Sequence, residues 1–201
     1  MKLFCLGDSL TFGFGMSRSG RWTSLVEQET DWQVVNCGIN GDTTGGMMAR
    51  LGPEVLDRIG AERQQRLSCR ILLMGGSNDV FFSGTDAQAR ANMAGMCQRL
   101  MGEGLEPFVG ISLPVDWIRA PQQWAQVVDF QQAARQMQEY TAWLRQFCCV
   151  FGLPVVDFAR DFTDGQGDPI HELFLDGLHP NAQGHRLMAD RLKAALLPAR
   201  Y

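Results

Sequence analysis

Near the C-terminus, Asp176-Gly177-Leu178-His179-Pro180 sets a carboxylate one short turn ahead of a histidine. At the opposite end, Gly7-Asp8-Ser9-Leu10 puts a serine at the close of the first apolar run. A serine hydroxyl is a weak nucleophile at neutral pH. It becomes a strong one when an imidazole takes its proton and a carboxylate holds that imidazole in the right tautomer. The chain supplies all three groups, and two of them are already neighbours. The chemistry this favours is covalent acyl transfer, with Ser9 as nucleophile, His179 as general base and Asp176 as its orienting acid.

Acyl transfer also needs donors aimed at the oxyanion of the tetrahedral intermediate. Losing one such donor typically lowers turnover by about 10²–10³. Gly41, within Asn40-Gly41-Asp42, can turn its N–H toward a site without steric cost. Asn78, within Gly75-Gly76-Ser77-Asn78-Asp79, can offer a side-chain amide. With the Ser9 N–H they form a donor set. Asp8 and Asp79 read as loop braces rather than catalysts. His171, in a loop, and His185, inside the last helical stretch, are the weaker histidine candidates.

These groups must be positioned by a scaffold. Five apolar runs read as strands: Lys2–Leu6, Gln33–Cys37, Arg70–Met74, Pro107–Ile111 and Pro154–Asp157. Most are continuous rather than alternating, as expected for strands buried on both faces of a parallel sheet. Thr43–Ile59, Thr85–Met101, Ala125–Cys149 and Asn181–Leu197 carry apolar residues at helical spacing. In the last of these, Leu187, Met188, Leu192 and Leu196 fall toward one face. Strand–helix alternation predicts an α/β three-layer sandwich. The ligand crevice of such a sheet lies beyond the C-terminal strand ends. Gly7-Asp8-Ser9, Gly38–Asp42 and Gly75–Asp79 all leave strands there and should share one rim. Pro114–Gln123, with Trp117, also follows a strand end and should overhang the site. Phe12, Phe14, Phe81, Phe82 and Trp117 are candidate apolar lining.

At 201 residues, one domain spanning 1–201 is the natural expectation. The chain is 45% hydrophobic and 20% charged, the composition of an ordinary globular protein. Its net charge of −4, with no basic stripe, gives no support to a nucleic-acid partner. No apolar stretch approaches the roughly 18 residues of a membrane span, so stable membrane insertion is not expected. The opening run is too short for a signal-peptide core, which makes cytoplasmic the default; a protein whose leader had been removed would read the same way. The six cysteines lack CxxC spacing and read mainly as buried small hydrophobes. No cofactor or metal is called for, and oligomeric state is open.

Taken together, Gly7-Asp8-Ser9-Leu10, Gly41, Gly76-Ser77-Asn78-Asp79 and Asp176-x-x-His179 resemble the four blocks of the SGNH (GDSL) hydrolase family. Asn40–Thr44 and Gly177–Asn181 are similar to its bacterial thioesterase I, lysophospholipase and arylesterase group. The blocks run in the family's order from residue 7 to residue 181. The resemblance implies a flavodoxin-like α/β/α sandwich with about five parallel strands. It implies metal-free hydrolysis of esters or thioesters, and the same roles for Ser9, Asp176, His179, Gly41 and Asn78. Leu113–Gln132, rich in Trp, Gln and Pro, matches no motif of the family and is where acyl-chain selectivity is expected to be set.

Other readings stay open at this stage. A nucleotide-binding module is poorly matched, because Gly13-Phe14-Gly15 is followed by Arg18 where a dinucleotide fingerprint has glycine. The nucleophile elbow G-x-S-x-G is also unmatched, since Thr11 stands at its second glycine. A metal hydrolase built on Asp176, His179 and His185 lacks further ligands. A non-catalytic binder, a carbohydrate acetylesterase and an acyltransferase share the same residues.

Overall fold

A computed structural model describes residues 1–64, 68–124 and 128–196. The first strand, β1 (Lys2–Gly7), ends in a single helical turn, α1 (Ser9–Phe12), and α2 (Trp22–Glu29) follows. Next come β2 (Gln33–Gly38), α3 (Thr44–Leu51), α4 (Asp57–Gln64) and β3 (Cys69–Met74). The middle of the chain gives α5 (Ser77–Ser83), α6 (Ala87–Gly102), β4 (Pro107–Ile111) and α7 (Ala120–Gln123). Then α8 (Phe130–Phe151), β5 (Val155–Asp157) and α9 (Ala182–Leu196) complete it.

All five strands are parallel, in the order β2-β1-β3-β4-β5. Alternation along each strand feeds two separate cores. Phe4, Leu6, Ile71 and Leu73 face α3, α6 and α8, packing on Met47, Met93 and Leu144. Leu3, Cys5, Leu72 and Met74 face α2 and α9, packing on Trp22, Val26, Met188 and Leu192. A sheet covered on both faces explains why these strands read as continuous apolar runs. This is the α/β/α sandwich the sequence predicts.

The strands lie within one residue of their expected bounds at each end. The helices differ more. The stretch expected as Thr43–Ile59 is α3 and α4 joined by a wider π-type turn, Gly52–Leu56. Pro53 has no N–H to donate in that turn, which breaks the ordinary hydrogen-bond ladder there. The expected start of the next long helix at Ala125 lies outside the described residues, and α8 opens at Phe130, where the Asp129 side chain accepts from Gln132 N. Leu197 also lies outside them. α2 had no counterpart in the sequence reading, although it buries Trp22 and Val26.

Four of the six cysteines are buried, whereas Cys69 is half-buried and Cys149 exposed on α8. Among the described residues, no helix is long and apolar enough to cross a membrane.

Candidate active site

β1 delivers Ser9 to the sheet's C-terminal rim. Asp8 caps the turn that follows, its Oδ1 accepting from Leu10 N at 2.9 Å. Ser9 therefore opens α1 with its side chain turned out at the rim. The other two groups come from the far end of the chain on a small hairpin. Leu175 N donates to the His179 carbonyl at 2.8 Å, and Asn181 N to that of Leu173 at 2.9 Å. These bonds close the loop that carries Asp176 and His179.

Within that loop, Asp176 Oδ1 accepts from the backbone of Leu178 at 3.0 Å and of His179 at 2.8 Å. Its Oδ2 lies 2.8 Å from His179 Nδ1. On the far side of the ring, His179 Nε2 lies 3.0 Å from Ser9 Oγ. Two links thus run in line from carboxylate to imidazole to hydroxyl, across 170 residues of sequence. Half-burial pushes the Asp176 pKa up, but the bonds from His179 and Leu178 outweigh it and hold the carboxyl below its ordinary value. An ionised Asp176 fixes the tautomer with Nδ1–H facing it, which leaves Nε2 free to accept from Ser9.

The loops after β2 and β3 carry the two expected donors, and of these Asn78 lines the cleft beside Ser9. Gly41 has φ +74°, a left-handed conformation, and a side chain there would meet open space. Asn78 Nδ2 donates to Asp42 O at 2.8 Å, tying the two loops together. Asp79 braces the same junction, accepting from Thr44 N at 2.9 Å and Thr44 Oγ1 at 2.6 Å. Asp8 is buried, with Oδ2 lacking a partner among the described residues. Burial raises its pKa to about 6, against the pull of the Leu10 amide.

Arg50 was not foreseen. Its guanidinium reaches Asp42 Oδ2 at 2.7 Å, Cys37 O at 2.7 Å, Gly7 O at 2.8 Å and Glu54 at 2.8 Å. It therefore clamps the ends of β1 and β2, from which Ser9 and Gly41 depart. Nothing in its sequence position beyond a place on α3 signals this.

The aromatic lining differs from expectation in part. Phe14 packs on His179 with ring centroids 4.4 Å apart, and Trp124 flanks the same imidazole at 6.0 Å. Trp124 falls within the Leu113–Gln132 segment but was not singled out. Phe81 lines the cleft beside Ser9 and His179 together with Leu113, Pro114, Val115 and Leu178. Phe82 instead points to solvent, 66% exposed. Phe12 lies beneath the Arg21 guanidinium. Of the overhanging segment, Pro114 and Val115 reach the cleft, whereas Trp117 lines a neighbouring cavity.

The remaining histidines are placed elsewhere. His185 is buried in α9, where Nδ1 accepts from Trp22 N at 3.1 Å. Burial, and to a lesser degree the charges of Arg21 and His179, depress its pKa to about 4. His171 pairs through Nδ1 with Asp116 Oδ2 at 2.7 Å. Among the described residues no group of three or more His, Cys, Asp and Glu side chains could hold a metal ion.

Residues 5–187 match the model of the GDSL-like Lipase/Acylhydrolase family. The chain belongs to that family. The Esterase TesA of Pseudomonas aeruginosa is 33% identical over 121 residues, 57% of this chain and 56% of that protein. The chain thus spans a little over half the length of that relative. The Thioesterase 1/protease 1/lysophospholipase L1 of Escherichia coli K12 is 27% identical over 201 residues, 98% of this chain and 83% of that protein. Among solved structures, a member of the lipolytic protein G-D-S-L family from Veillonella parvula superposes with a TM-score of 0.74 at 20% identity. That superposition covers 98% of both chains. The aryl esterase of M. smegmatis gives a TM-score of 0.74 at 17% identity, covering 97% of this chain and 99% of that one. These likenesses establish the α/β/α fold.

Proposed function

We propose that the chain hydrolyses carboxylic esters of small to medium acyl groups, thioesters included, through a Ser9–His179–Asp176 triad and an acyl-enzyme. The observation that carries this is the unbroken line from Asp176 Oδ2 to His179 Nδ1 at 2.8 Å and from His179 Nε2 to Ser9 Oγ at 3.0 Å. Both contacts lie within the range in which a nucleophile–base–orienter set works.

In the first half-reaction Ser9 Oγ attacks the ester carbonyl while His179 Nε2 takes its proton. The oxyanion is held by the N–H groups of Ser9 and Gly41 and by the Asn78 amide. His179 then gives the proton to the leaving alcohol or thiol. Water repeats the sequence on the acyl-enzyme, with His179 as base again. Asp176 remains ionised throughout and stabilises the imidazolium.

The cleft beside Ser9 is small, and its apolar lining of Phe81, Leu113, Pro114, Val115 and Leu178 favours small to medium acyl groups. The experiment is turnover of p-nitrophenyl esters from acetate to decanoate by wild type and Ser9→Ala. Wild type should prefer the short members, and Ser9→Ala should lose about six powers of ten in kcat. Retained turnover in Ser9→Ala would remove Ser9 from the mechanism.

A further inference from the structure

The Asp176–His179 loop is held from outside by a second carboxylate–imidazole pair. Asp116 is fully buried, and its two oxygens are both in use. Oδ1 accepts from Ile118 N at 3.2 Å and Arg119 N at 3.1 Å, which closes the turn after β4. Oδ2 lies 2.7 Å from His171 Nδ1. The Asp116 backbone reaches the tip of the hairpin as well, its N–H donating to Gly177 O at 2.9 Å. Arg119 adds a third tie, Nη1 donating to His171 O at 2.7 Å.

These contacts grip the hairpin at both ends. His171 stands at its base, just before the leg that pairs with His179 and Asn181. Gly177 lies at its tip, between Asp176 and His179. The fit at the tip is close: a side chain on Gly177 would stand 2.3 Å from Ala120 N. The segment that makes these contacts, Asp116–Ala120, continues directly from Leu113–Val115, which line the cleft beside Ser9. One clasp therefore fixes the imidazole-bearing loop against the substrate-facing wall.

We propose that Asp116 and His171 are positioning residues, holding His179 in line with Ser9 and in register with the acyl wall. This rests on the triad reading above. Neither side chain touches the reacting atoms; they act through the Gly177 backbone and the hairpin base. Misplacing a catalytic group by about 1 Å can cost about 10²-fold in rate, so a partly loosened loop should lower kcat noticeably.

The test uses His171, whose side chain is 37% exposed and can be changed without emptying the core. His171→Ala removes the donor to Asp116. In His171→Asn the amide nitrogen can take the place of Nδ1 and restore it. With p-nitrophenyl acetate, His171→Ala should lose about tenfold in kcat at little changed KM and thermal midpoint. His171→Asn should recover most of that loss. Unchanged kcat in His171→Ala overturns the proposal, and so does a loss that tracks a fall in thermal midpoint and is not rescued by asparagine. Ser9→Ala, run alongside, separates the two readings: if it still hydrolyses the ester, the triad fails and the clasp's role with it.

Discussion

Asn78 Nδ2 donates to the carbonyl of Asp42 across 2.8 Å, joining the loop after β3 to the loop that carries Gly41. An amide nitrogen has two hydrogens, so one N–H is spent on this bond and, on the proposed function, the other would serve the oxyanion. The bond thus fixes the direction of the second N–H before substrate arrives. Preorganised donors stabilise developing charge more than mobile ones, because they need no reorganisation at the moment of reaction. Asn78→Ala should therefore lower kcat by about 10²–10³, with KM for p-nitrophenyl acetate changing only a few-fold. Steady-state kinetics on the purified variant would check this. A loss confined to KM would make Asn78 a ground-state contact instead.

A second prediction concerns acid stability, where two buried groups oppose each other. His185 has a folded pKa of about 4 against an ordinary 6.5, so between these values the unfolded chain binds more protons. Stability is then lost as pH falls from about 6.5 to 4. Asp8 has a folded pKa of about 6 against an ordinary 3.8, so between these values the folded protein binds more protons. Its burial costs stability above pH 6, and that cost is relieved as pH falls toward about 4. Each effect has a full size of about 3 kcal/mol, and they largely cancel. Asp8→Asn should make stability fall steeply from about pH 6.5 to 4. His185→Asn should make it rise over the same range. Urea midpoints at several pH values would show both slopes, and parallel curves for the two variants would refute the assignment.

The contrast between Ser9 and Arg50 shows what was legible in the sequence. Ser9, Asp176 and His179 announce themselves because their chemistry is rare in combination and their local blocks are short. The strands were readable because double-sided burial leaves a continuous apolar run, as in Leu3–Leu6 and Ile71–Met74. Arg50 could not be read, since its four contacts come from segments distant in sequence that meet only once the sheet forms. The Asp116–His171 pair was hidden for the same reason, 55 residues apart and in unpatterned loops. α2 was missed because Trp22 and Val26 give only a brief helical stripe.

Gly177 offers a third prediction. Its φ of +85° is costly for any residue with a side chain, by about 1–2 kcal/mol. Added to this, a Cβ would press into the Ala120 backbone, which cannot swing aside as a flexible side chain can. Gly177→Ala should therefore lower the thermal midpoint by several degrees and shift the loop carrying Asp176 and His179. Activity should fall further than stability predicts, because the line to Ser9 is disturbed. Comparing kcat well below the midpoint with that of wild type would separate the two losses.

Val115 supplies the last. It is buried and lines two spaces at once: the small cleft beside Ser9 and a neighbouring cavity of about 200 Å³. Leu113 and Pro114 complete this shared wall. Beyond it the cavity is bounded by α8 residues Ala134, Met137 and Thr141, room enough for several methylenes. On the proposed function, this wall is where a long acyl chain would be stopped, which would make discrimination against long esters steric. Trimming it should admit longer chains, at a stability cost of about 2 kcal/mol for the lost packing. Since a methylene in an apolar pocket is worth about 10–200-fold in discrimination, the effect on chain preference should be large. Val115→Ala is expected to raise the ratio of kcat/KM for the octanoate ester over the acetate ester at least tenfold. If the ratio stays as in wild type, the wall does not set chain length, and the limit must be sought at Phe81 and Leu178, which also line the cleft.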